Sequence, residues 1–433
     1  VILGLALPII GGMASQNVLN LVDTAMVGLL GAPALAAVGM GSFANFMATA
    51  FIMGLSAGVQ AMAARRLGEG RLSETAVPLN GGLLLAGAIA IPWSIALFAL
   101  ADRLFPILIN DPQVVELGTP YWQARLVSMV ALGANFAFRG YWNGVNMSKV
   151  YMRTLVMMHI ANVFLNWVLI FGHFGLPALG CTGAGVGSAI ATYLGSGLYI
   201  YQALRIARRN GFLRGLPDRR TMVTMLRLSV PAGIQQFFFA AGMTTFFWII
   251  GRIGTAELAA SNVLVHLLLV AILPGMGFGM ASATLVGQAL GRADPQDARR
   301  WAWDVSRVAV VVVGSLALLG LFFPRLLLSV FLHDPETMQL AKLPLQVLAV
   351  AMGWDTLGLV MMNSLLGAGD NRRVMAVSVF FQWGLFLPAA YLVGPVFGLG
   401  MTGVWLAQIA YRALQTGAFA LMWRQGRWAE IQV

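Results

Sequence analysis

Apolar runs of about 20 residues, each long enough as a helix to cross a bilayer, follow one another along the whole chain. They predict twelve spans, at approximately 4–29, 36–64, 78–101, 119–141, 151–172 and 183–205, then 225–250, 260–288, 300–323, 342–366, 373–395 and 401–423. Breaks such as Gly31-Ala32-Pro33 and Gly254-Thr255-Ala256 leave room only for antiparallel turns. The longest polar stretch, 206–224, is rich in arginine and carries Gly211, Gly215 and Pro217. It separates six spans from six. The expected fold class is an all-α polytopic membrane protein.

The two sets of spans are copies. Leu7-Pro8 returns 223 positions later as Val230-Pro231, Gly28 and Gly31 as Gly251 and Gly254, and Leu35-Ala36-Ala37 as Leu258-Ala259-Ala260. Gly54, Gly68 and Gly144 return as Gly277, Gly291 and Gly367. Leu179-Gly180-Cys181-Thr182-Gly183 matches Leu399-Gly400-Met401-Thr402-Gly403 after a three-residue slip. The division implied is an N-lobe at 1–205, a linker at 206–224 and a C-lobe at 225–433. Six spans per repeat give both lobes the same orientation, with a cavity expected between them. Paired halves in a membrane protein point first to a transporter.

Composition agrees. Hydrophobic residues make up 59% and charged residues 10% of 433 residues, too little charge for a soluble surface of this size. The single cysteine, Cys181, excludes an intrachain disulfide and a cysteine-ligated metal. With the N-terminus inside, twenty basic residues fall on cytoplasmic loops and five on the other face, so both termini are expected in the cytoplasm. The net charge of +11 is spread over separate loops without a base-stacking platform, so no nucleic-acid partner is expected. There is no GxxxxGK[ST], hence no ATP-driven pump, and no HExxH. No cofactor is expected.

The informative residues are polar ones inside the spans. Among sixteen carboxylates only Asp23 and Asp355 fall clearly within apolar runs, away from their ends, and a carboxylate at bilayer depth is costly unless it serves a function. Gln16, Asn20 and Asp23 share one face of span 1. Asn162 and Asn166 share one face of span 5 and could hold a carboxylate or complete an oxygen-ligated cation site. At the repeat offset Asp23 meets Phe246, Asn162 meets Leu385 and Asn166 meets Ala389, so the cluster exists once. Pro8, with Gly11 and Gly12 in the next turn, marks span 1 as a helix able to bend. His159 and His266 lie in spans and suit packed or hydrogen-bonded roles. The 23 methionines and 25 phenylalanines are compatible with an adaptable cavity.

LPIIGGMASQNVLNLVDTAMVGLLG (Leu7 to Gly31) resembles the first helix of the multidrug and toxic compound extrusion (MATE) family. FRGYWNGVNMSK (Phe138 to Lys149) and NSLLGAGDNRR (Asn363 to Arg373) resemble its motifs closing the fourth and tenth helices. The resemblance implies twelve transmembrane helices in two six-helix lobes related by a pseudo-twofold axis, and cation-coupled antiport of organic cations and other amphiphilic drugs from a bacterial inner membrane. Its DinF-type branch implies a cation-responsive cluster of Asp23, Asn162 and Asn166, with Tyr121 and Thr192 joining it. Asn166 stands where relatives carry aspartate, which favours a proton switch at Asp23 over a tight sodium site. Asp355 resembles the NorM-type branch, but Phe239 replaces that branch's glutamate. Gln16, Asn20 and Asp355 are the expected substrate contacts, membrane lipid the surrounding partner, and a monomer the expected state.

Two other readings have distinct signatures. A flippase for a lipid-linked substrate would show a long side groove. A membrane-embedded enzyme would need a histidine and a carboxylate converging; only His333-Asp334 are adjacent.

Overall fold

The computed structural model describes residues 1–330 and 334–433. Each expected span is helical. The first six are Ile2–Gly28 (α1), Ala32–Ala50 with Gly54–Gly68 (α2, α3), Val77–Leu108 (α4), Pro112–Val127 with Met129–Gly144 (α5, α6), Ser148–Phe171 (α7) and Gly180–Ile206 (α8). The second six are Arg219–Gly251 (α9), Thr255–Gly291 (α10), Pro295–Phe322 (α11, followed by the short α12, Pro324–Ser329), Pro335–Ala368 (α13), 371–396 and Gly400–Gln425 (α16). Among the described residues, eight helices are individually long and apolar enough to cross a membrane, and α2 with α3 form a ninth span bent by 44°. The α5–α6 pair, α8 and α16 complete the twelve with more Gly, Thr, Gln and Arg in their sequences.

Three spans expected to be continuous are not. α2 and α3 part at 51–53, where α9 approaches so closely that a Cβ on Gly233 would lie 2.3 Å from the Phe51 carbonyl. α5 and α6 part at Ser128, whose hydroxyl turns back to the Arg125 carbonyl at 2.8 Å. The eleventh span runs Asn371–Val379 (α14), a π-helical turn Phe380–Phe386, Leu387–Tyr391 (α15) and a second π-turn Leu392–Val396. Pro388 and Pro395 lack the N–H that would close the α-helical bond, and a wider turn accommodates the missing donor.

Packing divides the chain into Gly11–Gly233 and a unit made of Val1–Ile10 with Ile234–Val433. These units are drawn differently from the lobes of the repeat. Both boundaries fall at the same place in the repeat, 223 residues apart, just past Pro8 and Pro231. Two equivalent glycines explain the exchange. A Cβ on Gly54 would lie 2.4 Å from the Ser229 carbonyl, and one on Gly277 would lie 2.4 Å from Ile10 and 3.4 Å from the Ala6 carbonyl. Each glycine thus receives the first turns of the other half's leading helix. The 206–224 stretch packs with the first unit: Asn80 donates to the Gly211 carbonyl at 2.9 Å and accepts from the Leu213 N–H at 3.0 Å.

Candidate functional site

In the first unit, α1 and α7 meet along facing polar stripes. Their apolar residues make them spans, and their helical period gathers Gln16, Asn20 and Asp23 opposite His159, Asn162 and Asn166. Asn166 is fully buried and donates from Nδ2 to Asp23 Oδ1 at 2.9 Å. Its amide oxygen points the other way, toward Gly187 of α8, where a Cβ would come within 2.2 Å of it. Asn162 is also buried, and its Oδ1 has no hydrogen-bond partner among the described residues. Of the two asparagines expected to hold the carboxylate, Asn166 makes the contact shown. Arg125 is the cation whose field reaches Asp23.

One turn below, His159 joins the helices. Its Nδ1 lies 2.9 Å from Ser15 Oγ and its Nε2 lies 3.0 Å from Gln16 Oε1. Gln16 in turn donates to Asn20 Oδ1 at 3.1 Å. Gln16 and Asn20 are exposed and Asp23 is half-buried, so the stripe has one side open. Gly11 and Gly12 lie where α7 comes closest: a Cβ on Gly11 would meet the Met152 sulfur at 3.0 Å, and one on Gly12 would meet Tyr151 at 3.0 Å. They serve close packing here. Pro8 sits inside an α1 that runs unbroken past it.

Tyr121 and Thr192 take other partners. The Tyr121 hydroxyl pairs with Ser42 Oγ at 2.9 Å, and its ring packs among Val27, Val38, Ile170 and Ala184. The Thr192 hydroxyl donates to the Ser188 carbonyl of its own helix at 2.8 Å. Neither has a hydrogen bond to Asp23. A β-hydroxyl on a helix finds its own backbone more readily than a distant carboxylate.

In the second unit, Asp355 of α13 is buried and ion-paired with Arg412 of α16 through Nε. Arg412 also donates from Nη1 to Gln415 Oε1 at 2.9 Å. The pair lines a cavity of about 270 Å³ whose other walls include Leu268, Met352, Trp354 and Ile409. Outside the spans, Asp334 caps α13 by accepting from the Thr337 N–H at 2.9 Å. The Thr337 hydroxyl beside it holds the Asp334 carboxyl below its ordinary range. His333 lies outside the described residues, and Asp334 has a structural task. No group of three or more His, Cys, Asp or Glu side chains among the described residues could hold a metal ion.

The MatE family model matches residues 8–168 and again 231–392, two stretches that begin 223 residues apart. The chain belongs to the MatE family. It is therefore a multi-pass membrane transporter and not an enzyme. A Thermotoga maritima protein named "Probable multidrug resistance protein NorM" is 25% identical over 98% of this chain and 92% of its own length. A Pseudomonas aeruginosa protein of the same name is 29% identical over 93% of this chain and 84% of its own. The fold matches a solved structure described as the outward-facing conformation of a multidrug resistance MATE family transporter, with a TM-score of 0.91, 20% identity, and coverage of 100% of this chain and 96% of that one.

Sequence reasoning missed two residues of this MatE-family chain. The loop count leaves two basic residues unassigned, Arg139 and Arg412, and both belong to spans. That remainder was the available signal for a partner to Asp355. His159 was legible as a hydrogen-bonded histidine, but its place on the α1 stripe was not. Its spacing of three and seven residues from Asn162 and Asn166 was the signal.

Proposed function

We propose that this transporter is a multidrug efflux antiporter driven by protons in preference to sodium, with Asp23 as the protonation switch. It exports organic cations and amphiphilic compounds by alternating access from a bacterial inner membrane, as a monomer with both termini in the cytoplasm. The names of its relatives support the drug substrates, and the single N-unit cluster supports the DinF-type branch. The observation that carries the coupling is the Asn166 N–H held 2.9 Å from a carboxylate in an apolar span. Asn166 offers Asp23 a donor, and its oxygen faces Gly187 instead of a cation at Asp23. One carboxylate with an N–H donor suits an exchangeable proton better than a tight sodium site. A protonated Asp23 gains an O–H donor, and the α1–α7 contact must rearrange to accept it. Bending at Pro8, Gly11 and Gly12 is the proposed response.

The test is transport by reconstituted protein with pH and sodium gradients imposed separately. The expected result is drug movement driven by the pH gradient and lost in Asp23→Asn, while that variant still reaches the membrane. Spectroscopic distances between α1 and α7 should differ between mildly acidic and mildly alkaline pH in the wild type and stay fixed in Asp23→Asn. Wild-type efflux by Asp23→Asn would overturn the assignment. A sodium reading is favoured by the buried side-chain oxygens of Asn162 and Asn166, neither of which has a hydrogen-bond partner among the described residues. Transport driven by sodium alone would establish it.

A further inference from the structure

The C-unit cavity holds both signs of charge. Asp355 and Arg412 line it together, and the remaining walls are largely aliphatic: Leu268, Val347, Leu348, Val350, Met352 and Ile409. The cavity reaches the surface of the unit at Val350 and Trp354, which are 69% and 50% exposed. Its volume, about 270 Å³, is near the lower end for small-molecule sites. Arg412 has five N–H groups and two side-chain hydrogen-bond partners, Asp355 and Gln415. Donors therefore remain for a ligand. The carboxylate is already neutralised by a cation that belongs to the protein.

We infer that this cavity is a binding site for uncharged amphiphiles that carry one hydrogen-bond acceptor, and that Arg412 sets this preference by occupying the place a cationic ligand would take beside Asp355. The site deepens the efflux reading by naming a second substrate class. A permanent organic cation entering here meets the guanidinium as well as the carboxylate and gains little net attraction. Displacing Arg412 would leave a buried charge without its partner, which is the costly outcome for any buried pair. A neutral molecule keeps the pair intact, buries its apolar body against the aliphatic walls and offers its acceptor to the spare guanidinium N–H groups. The repeat explains why only this unit has the site. Asp355 corresponds to Leu132 at the offset of 223, and Arg412 corresponds to Thr192 after the three-residue slip.

Two probes of similar shape test this directly: triphenylphosphine oxide, neutral with one acceptor oxygen, and methyltriphenylphosphonium, a permanent cation with a methyl group in place of that oxygen. Binding to the purified full chain is read by tryptophan fluorescence, with Trp354→Phe identifying the signal from this cavity. The wild type should bind the oxide at least about tenfold more tightly than the phosphonium in the Trp354-dependent signal. Arg412→Gln should reverse the order, because Asp355 is then free to attract the cation. Asp355→Asn/Arg412→Gln should remove the preference for the cation while keeping hydrogen-bonding side chains at both positions. That double variant also guards against Arg412→Gln failing to fold through its lone carboxylate. An unchanged ratio in Arg412→Gln, a wild type that prefers the phosphonium, or no Trp354-dependent signal with either probe overturns the inference. Binding is measured on purified protein without a gradient, and proton-driven efflux on reconstituted protein with one, so failure of this site and failure of the efflux mechanism give separate results.

Discussion

The interface of α1 with α7 and its counterpart in the other half, α9 with the eleventh span, descend from one repeat and do opposite things. The first is polar: Asn166 bonds Asp23, and His159 bonds Gln16. At the equivalent positions the second has Phe246 for Asp23, Phe239 for Gln16, Leu385 for Asn162 and Gln382 for His159. Phe246 is buried, with ring centroids 6.0 Å from Phe386 and 5.3 Å from Trp405. The second seam is an aromatic core with an irregular, π-helical partner, and the first is a hydrogen-bonded contact with one open side. The same helix pairing can thus serve as a fixed support or as a contact responsive to charge, according to a handful of side chains. The charge of the second unit has moved to α13 and α16, where it comes with its own counterion.

The largest effect should come from making the second seam resemble the first. Phe246→Asp removes a packed ring and buries a charge without a partner, and should cost at least about 3–5 kcal/mol of stability. Thermal unfolding in detergent would show it; a wild-type midpoint would mean the aromatic seam is not tightly packed. Asp355→Ala leaves Arg412 buried alone and should cost about 3–5 kcal/mol, while replacing both members by apolar residues of similar volume should be much closer to neutral. Equal losses for the single and double variants would show that the packing matters and the charge does not. Asn166→Ala removes a hydrogen bond to a carboxylate, worth about 1.5–3 kcal/mol. A double-mutant cycle with Asp23→Asn measures that coupling, and additivity within about 0.5 kcal/mol would remove the contact from the mechanism. The smallest effect on stability is expected for Pro8→Ala, which restores a backbone donor within a helix that is already continuous. It should alter folding little and impair efflux, and undiminished efflux would take bending at Pro8 out of the coupling step.

Hydropathy and the internal repeat were legible in the sequence because they are local or periodic properties. Every expected span is helical, and the ends of α7 and α16 lie within three residues of their expected positions. The breaks at 51–53 and Ser128 were not legible, because apolar residues continue through them and the causes lie in a neighbouring backbone and a back-bonded hydroxyl. The stripe on α1 was legible from helical spacing. The roles expected for Tyr121 and Thr192 came from resemblance, and the hydroxyls have nearer partners in Ser42 and the Ser188 carbonyl.

The sequence by itself determined that this chain is a duplicated, all-helical membrane transporter with one unmatched polar cluster near Asp23. Those conclusions rest on the free energy of burying side chains, which hydropathy expresses residue by residue. Only the tertiary structure decided which polar group meets which. Asp23 finds its asparagine 143 residues away, and Asp355 finds its arginine 57 residues away. Nor could spacing within one helix show that the first turns of α1 pack with the second half. That outcome depends on backbones approaching at Gly54 and Gly277, a contact formed only when helices distant in sequence come together.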